Sequence, residues 1–243
     1  MISENDTLLL NQIKTTNPEI YNLIERIQQN PSKTMSKVSH SMKNILSIIS
    51  SSLQFIESQH PETTSFHLWP QLKSSTTYLV HFMDQESIFR HSANIEAKPM
   101  NLQDLLWSIP DIMDDIYESN PNNSIRNYNY DIASNIPEIN GDYSKLKYAF
   151  IEIMKNAYEA TAADDTITIR SHIVGDSVVI TFKDEGVGFD IHTINDVTKP
   201  FFSTKNEHVG TGLSIAKRIA DAHGGTLSIC LDEYTCVTIT LPL

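Results

Sequence analysis

From Pro31 onward, apolar side chains return in alternating steps of three and four: Met35, Val38, Met42, Ile45, Ile49 and Ile56. Ser52 takes the one polar place in the series, with Leu53 beside it. This spacing predicts a long helix carrying a coiled-coil or bundle seam. Pro31-Ser32 supplies a start and Gln59-His60-Pro61-Glu62 a stop. A second helix is expected from about Ser65 to Arg90, with Leu68, Leu72, Leu79, Phe82 and Phe89 along one side and Ser75 and Glu86 diluting the stripe. Two amphipathic helices joined by a short loop cannot cover both stripes alone, whereas a homodimer burying them in a four-helix bundle can. Upstream, residues 1–31 are polar with scattered apolar positions, and they read as one or two short helices broken near Asn17-Pro18. They are expected to be a solvated extension, or alternatively an input segment or docking site for a separate sensor protein.

The pattern changes beyond residue 92. His91 to Met100 is a polar connector, followed by Asn101 as an N-cap for a helix from Leu102 to Ile116 that Pro110 should kink or shorten. Ser124 to Ile132 alternates as a strand, Ile136 to Ile139 is a short extended piece, and Gly141-Asp142 leads into a helix from about Tyr143 to Thr161. Thr166 to Val174 and Ser177 to Phe182, separated by Gly175-Asp176, predict a hairpin. Leu213 to Ala222 is helical and stops at His223-Gly224-Gly225; Thr226 to Leu231 and Tyr234 to Leu241 close the chain as two strands. Helices mixed with antiparallel strands make residues 95–243 an α+β sandwich. The expected organisation is an extension (1–31), a helical hairpin (32–94) and an α+β domain (95–243).

Charge and composition narrow the function. Thirty acidic against 18 basic residues give a formal charge of -12, which argues against nucleic acid and against an acidic membrane surface as partners. No window approaches the roughly 20 apolar residues of a membrane span, and the N-terminus lacks the form of a secretory leader. The two cysteines, Cys230 and Cys236, are expected to be reduced, buried thiols in a cytoplasmic chain.

Four short pieces carry the candidate chemistry: EIMKNAYEA (Glu152 to Ala160), DEGVG (Asp184 to Gly188), FFSTK (Phe201 to Lys205) and GTGLSIAKRI (Gly210 to Ile219). Glu152 and Asn156, four apart on a helix, share a face; alone, such a pair reads as solvent-facing. Gly210-Thr211-Gly212-Leu213 opens a helix, where backbone N–H groups bind phosphate. In this order and at these distances the pieces resemble the ATP site of the histidine kinase and GHKL ATPase superfamily. The resemblance implies that Asn156 is a Mg²⁺ ligand with Lys155 beside it. It implies that Asp184 accepts the exocyclic amine of adenine, with Gly186 and Gly188 letting the backbone approach. It further implies that Phe202, Thr204 and Lys205 belong to the aromatic box anchoring an ATP lid, and that Gly210, Thr211, Gly212 and Leu213 hold the phosphates. Glu152 stands where gyrase-type members carry a general base. The lid is short, with four residues from Asn206 to Val209 between Lys205 and Gly210, and Ser214 replaces a further glycine.

The run His40-Ser41-Met42-Lys43-Asn44-Ile45 resembles the phosphoacceptor box of a histidine kinase. The aliphatic, the basic residue and the Asn are kept, while Ser41 replaces the usual acid and Ile45 the usual Pro. His40 lies off the apolar seam, so it is expected to face solvent. The resemblance covers about residues 32–243 and implies an ATP- and Mg²⁺-dependent, homodimeric protein-histidine kinase. Such an enzyme autophosphorylates on His40 and passes the phosphoryl group to an aspartate of a response-regulator receiver domain. Asn44 could then serve a phosphatase activity. Two other readings stay open: an ATP-binding scaffold or phosphorelay protein, motivated by Ser41, and a hydrolytic GHKL ATPase, motivated by Glu152.

Overall fold

The computed structural model of the chain describes residues 31–117, 126–190, 192–205, 208–231 and 234–243, with isolated positions at 13, 16 and 18. The expectations for the 1–31 extension therefore lie almost wholly outside the described residues. Two compact units emerge, Met1–Ser87 and Ile88–Leu243.

The first unit holds α1 (Pro31–Gln59), a 3-10 turn (Pro61–Ser65) and the greater part of α2 (Trp69–His91). The second helix was expected from Ser65, but three hydroxyls hold residues 61–65 in the tighter turn. Thr63 Oγ1 donates to His60 O (2.7 Å), Thr64 Oγ1 to Pro61 O (2.8 Å) and Ser65 Oγ to Glu62 O (2.6 Å). Such bonds compete with the helical ladder.

Covered positions on α1 include Ser39, Leu46, Ser50, Leu53 and Glu57; those on α2 include Lys73, Thr76, Val80 and Met83. Ion pairs Lys43–Asp84 and Lys73–Glu57 (2.6 Å) bridge the two helices and make them antiparallel. The apolar stripe of α1 does not form this intramolecular contact. Val38 (47%), Met42 (50%), Ile45 (58%) and Ile49 (41%) are all exposed in the single chain. At 100° per residue the stripe centres about 80° round the helix from the covered positions, so it remains free to meet something else.

In the second unit, β1 (Lys98–Met100) pairs antiparallel with β3 (Ile139–Gly141). A five-stranded sheet runs β2 (Asn127–Ile132), β4 (Thr166–Val174), β5 (Ser177–Asp184), β7 (Thr235–Pro242), β6 (Thr226–Leu231). Residues alternate inward and outward along β5 and β7, as a sheet with one buried face requires. Its buried side chains, among them Ile167, Ile169, Ile180, Phe182 and Ile239, join those of α3 (Leu102–Tyr117), α4 (Tyr143–Ala160) and α5 (Gly212–Ala222) in one core.

Three expectations need correction. The end of the polar connector, Lys98–Met100, is itself strand β1. The sheet is mixed, because β2 pairs parallel with β4; α4 carries the chain back between them, and a crossover of that kind delivers a parallel neighbour. Pro110 does not end α3, which runs on to Tyr117 with Pro110 buried inside it. Its cost of about 3 kcal/mol is outweighed by fully burying Leu102, Leu105, Leu106, Ile109 and Met113, each worth about 1.5–3 kcal/mol. The caps are as read: Asn101 Oδ1 accepts from Gln103 N (2.9 Å) and Asp104 N (3.3 Å).

Candidate nucleotide-binding site

α4 is held at its start by Asp142, whose carboxylate accepts from Lys145 N (3.1 Å). Asp142 N in turn donates to His223 Nε2 (2.9 Å) at the end of α5. This fixes how the far ends of α4 and α5 meet. On α4, Lys155 Nζ lies 3.0 Å from Glu152 Oε1, and Asn156 Nδ2 donates to Glu152 O (2.8 Å). The amide nitrogen is thus committed to the helix, leaving the Asn156 carbonyl oxygen to take a cation.

The start of α5 abuts this face. A Cβ on Gly212 would fall 2.7 Å from Glu152 Oε2 and 3.7 Å from Asn156 Nδ2, so a side chain there would displace the end of the Glu152 side chain. Gly210 has φ +73° and packs on the Phe202 backbone, a conformation that favours glycine. Ser214, the departure from the glycine-rich pattern, donates to Thr211 O (2.7 Å) and closes the turn with its hydroxyl. Thr211 and Leu213 are buried, so they can reach a ligand only through backbone N–H groups.

The second cluster sits at the end of β5. Asp184 is only 4% exposed. Burial pushes its carboxyl up to about 6, against the pull of Gly186 N, which donates to Oδ1 (3.1 Å). Gly186 packs on the end of α4, where a Cβ would lie 2.5 Å from the Ala160 carbonyl carbon, and Val187 N donates to Ala160 O (3.1 Å). Gly188, with φ +69°, lies against Thr235, whose Oγ1 would be 3.1 Å from a Cβ there.

Thr235 is a residue the sequence reading missed. It is 4% exposed, pairs with Asp184 across the ladder, and its Oγ1 is buried with no hydrogen-bond partner among the described residues. A buried hydroxyl of this kind costs about 1–3 kcal/mol unless something else bonds it. The available signal was a polar residue at an inward position of an otherwise apolar strand.

Phe202 is half-buried and packs on the core, while Thr204 is exposed. Phe201, at φ +64°, meets Phe89 in a tilted contact with ring centroids 5.8 Å apart, and the Arg218 guanidinium lies 4.6 Å over the Phe89 ring. Lys205 is ion-paired with Glu159 one turn beyond Asn156, and His208 Nδ1 lies 3.9 Å from the same carboxylate. The structure therefore brings together Glu152, Lys155, Asn156 and Gly212, and separately Asp184, Gly186, Gly188 and Thr235.

His40 and Asn44 belong to the first unit. Both are exposed, with Asn44 Nδ2 3.4 Å from His40 Nδ1. His40 lies about 180° round α1 from the apolar stripe.

Residues 141–243 match the family described as "Histidine kinase-, DNA gyrase B-, and HSP90-like ATPase". Those residues are similar to that family, and the match covers less than half of the chain. Sporulation kinase C of Bacillus subtilis (strain 168) is 29% identical to the chain over 205 residues, 82% of this chain and 45% of that protein. Sensor histidine kinase ZraS of Escherichia coli (strain K12) is 30% identical over 106 residues, 44% of this chain and 23% of that protein. The chain is thus homologous to sensor histidine kinases and spans less than half the length of these relatives.

Among solved structures, full-length ShkA in complex with AMPPNP superposes with a TM-score of 0.69 at 17% identity, over 86% of this chain and 45% of that one. The catalytic domain of histidine kinase ThkA gives 0.53 at 22%, over 60% of this chain and 95% of that one. Both share the fold of the GHKL domain. Among the described residues no helix is long and apolar enough to cross a membrane.

Proposed function

We propose that the chain is an ATP-dependent protein-histidine kinase that phosphorylates its own His40 and passes the phosphoryl group to a response-regulator aspartate. In this reading residues 32–94 are the dimerisation and phosphotransfer hairpin and residues 95–243 the catalytic domain. The observation that carries the reading is the nucleotide cradle of the GHKL domain, built into the same chain as a solvent-exposed imidazole. Asp184 and the unbonded hydroxyl of Thr235 provide an acceptor and a donor for the edge of an adenine. Gly210, Thr211, Gly212 and Leu213 offer backbone N–H groups at a helix start for the phosphates.

Mg²⁺ suits the donor set. No cluster of three or more His, Cys, Asp or Glu exists among the described residues, and Mg²⁺ takes few protein ligands, keeping water and phosphate oxygens for the rest. Asn156 would hold it through its carbonyl oxygen; when bound, it neutralises phosphate charge. Lys155 and Lys205 add positive charge on either side, Lys205 after exchanging Glu159 for a phosphate.

The Asn44 side-chain amide lies 3.4 Å from His40 Nδ1; with its oxygen turned to accept from Nδ1–H, it leaves Nε2 as the attacking nitrogen. In the transfer, the Nε2 lone pair forms the N–P bond as the bond from the γ-phosphorus to the bridging oxygen breaks, and ADP leaves. With Ser41 in place of an acid, the Nδ1 proton has no carboxylate neighbour on α1 and leaves to solvent water, so transfer is expected to be slow. Asn44, one turn from His40, is positioned to orient a water for phosphatase action on the receiver. The exposed stripe Val38, Met42, Ile45 and Ile49 supports a homodimer closed as a four-helix bundle.

The test is incubation with γ-labelled ATP. Acid-labile label on the wild type, absent from His40→Ala, is expected. Steady phosphate release unchanged in His40→Ala would instead favour a hydrolytic ATPase with Glu152 as general base, a reading supported by the Glu152 carboxylate at the start of α5. Nucleotide binding with neither label nor release would leave a scaffold.

A further inference from the structure

The chain has only two cysteines, and they are ladder partners. Cys230 on β6 stands directly opposite Cys236 on β7 in antiparallel register. Opposed residues in such a ladder project to the same face, with Cα atoms about 4.5–5.5 Å apart, inside the roughly 4.4–6.8 Å that a disulfide spans. The face is the outer one. Leu227, Thr235, Val237 and Ile239 point inward and are buried, whereas Cys230 is exposed and Cys236 half-buried. β6 is also the edge of the sheet. Both cysteines stand as thiols, but neither is buried as the sequence led us to expect.

We propose that Cys230 and Cys236 form a redox-responsive dithiol site that closes to a cross-strand disulfide by exchange with a low-molecular-weight disulfide. Cys230, the more accessible, attacks first as thiolate: a Cys230–S bond to one half of the reagent forms, the reagent's S–S bond breaks, and one thiolate leaves. Cys236, held alongside by the ladder, then attacks the Cys230 sulfur and expels the second thiolate. The two thiol protons go to the two departing thiolates, so the protein loses two electrons and the reagent gains them.

The position gives the site a reach beyond its own strands. Cys236 follows Thr235 and Cys230 precedes Leu231, and these are the two side chains nearest Gly188, at 3.1 and 3.9 Å from a Cβ there. Closing the disulfide pins the end of the β6–β7 pair against that loop. This holds whether or not the cleft binds ATP.

The test is intact-mass analysis of the full chain equilibrated across a series of oxidised-to-reduced glutathione ratios. The wild type is expected to lose two hydrogen atoms, carry no glutathione, yield a Cys230–Cys236 cross-linked peptide on digestion, and recover both thiols with a reducing dithiol. Cys230→Ser and Cys236→Ser should each gain a single glutathione instead. Amide exchange at Cys236 and Val237 should slow by at least about threefold in the oxidised wild type. The proposal is overturned by wild type carrying glutathione adducts, by disulfide-linked dimers, or by two thiols persisting where a small reference dithiol is fully oxidised. It is overturned equally by exchange rates that do not move on oxidation. The wild-type masses decide the question even if a serine variant folds poorly.

Discussion

Asp184 and Thr235 face one another across β5 and β7, and both are 4% exposed. One is a carboxylate that burial has made reluctant to ionise, the other a hydroxyl with no bond to its own protein among the described residues. Two polar groups brought into an apolar layer at one spot are a cost to the empty fold. A ligand with a donor and an acceptor on one edge removes that cost.

Asp184→Asn should leave the fold intact and weaken ATP binding by about tenfold or more, the loss expected when a charge-assisted bond becomes a neutral one. Calorimetry at neutral pH checks this. The wild type's affinity should be flat above pH 7 and decline as pH falls through about 6, where the carboxylate takes up its proton. The stability effect runs the other way. The folded value, about 6, lies above the ordinary 3.8, so between these the unfolded chain binds fewer protons and stability falls as pH rises. Asp184→Asn lacks this loss, so melting curves should favour the variant increasingly from about pH 4 to 6 and by a constant margin above.

Thr235→Val removes the unbonded hydroxyl with little change in shape. Thermal stability should rise or hold, since a buried unpaired polar group disappears. Affinity for ATP should fall by roughly fivefold, the worth of about one neutral hydrogen bond. Unchanged affinity would remove Thr235 from the base pocket.

Gly210 and Gly212 should respond differently to alanine. At Gly210 the new methyl meets the Phe202 backbone at a positive φ, so stability should drop by about 1–3 kcal/mol. At Gly212 it meets the end of the Glu152 side chain, which can swing away. Gly212→Ala should keep its denaturant midpoint within error and lose triphosphate affinity, with adenosine binding little changed.

Ile45→Asp places a charge in the exposed stripe, where the single chain does not bury it. Secondary structure should be unchanged by circular dichroism. Light scattering should show a dimer for the wild type and a monomer for the variant. His40→Ala, on the opposite side of the helix, should not alter the assembly.

The sequence made the second unit legible almost element by element, because β5 and β7 alternate strictly and each helix of that unit has a wide apolar face. The parallel pairing of β2 with β4 was not legible: a strand's own residues do not say which way its neighbour runs. The glycines and Asp184 were readable because each supplies a property few residues have. Thr235 was not, since threonine is ordinary in a strand and only its inward position and lack of a bond mark it. The α1 stripe was legible, and the single chain leaves it uncovered as expected. The contact the hairpin makes within itself was not, because beside Leu46, Leu53, Val80 and Met83 it uses Ser39, Ser50 and Thr76, which carry no hydrophobic signal.

The hydrogen bond from Asp142 N to His223 Nε2 ties the N-cap of one cleft helix to the C-cap of the other. The remaining nitrogen, Nδ1, donates to Ile219 O (2.7 Å), so the ring is neutral with its tautomer set. α4 and α5 run in opposite directions, so Glu152 and Asn156 meet Gly212 at the end away from this tie. The two helices are joined like the arms of a clothes-peg, sprung at the histidine and gripping at the glycine. Losing the His223 imidazole would free both far ends at once, while the buried faces of α4 and α5 still hold the glycine end together.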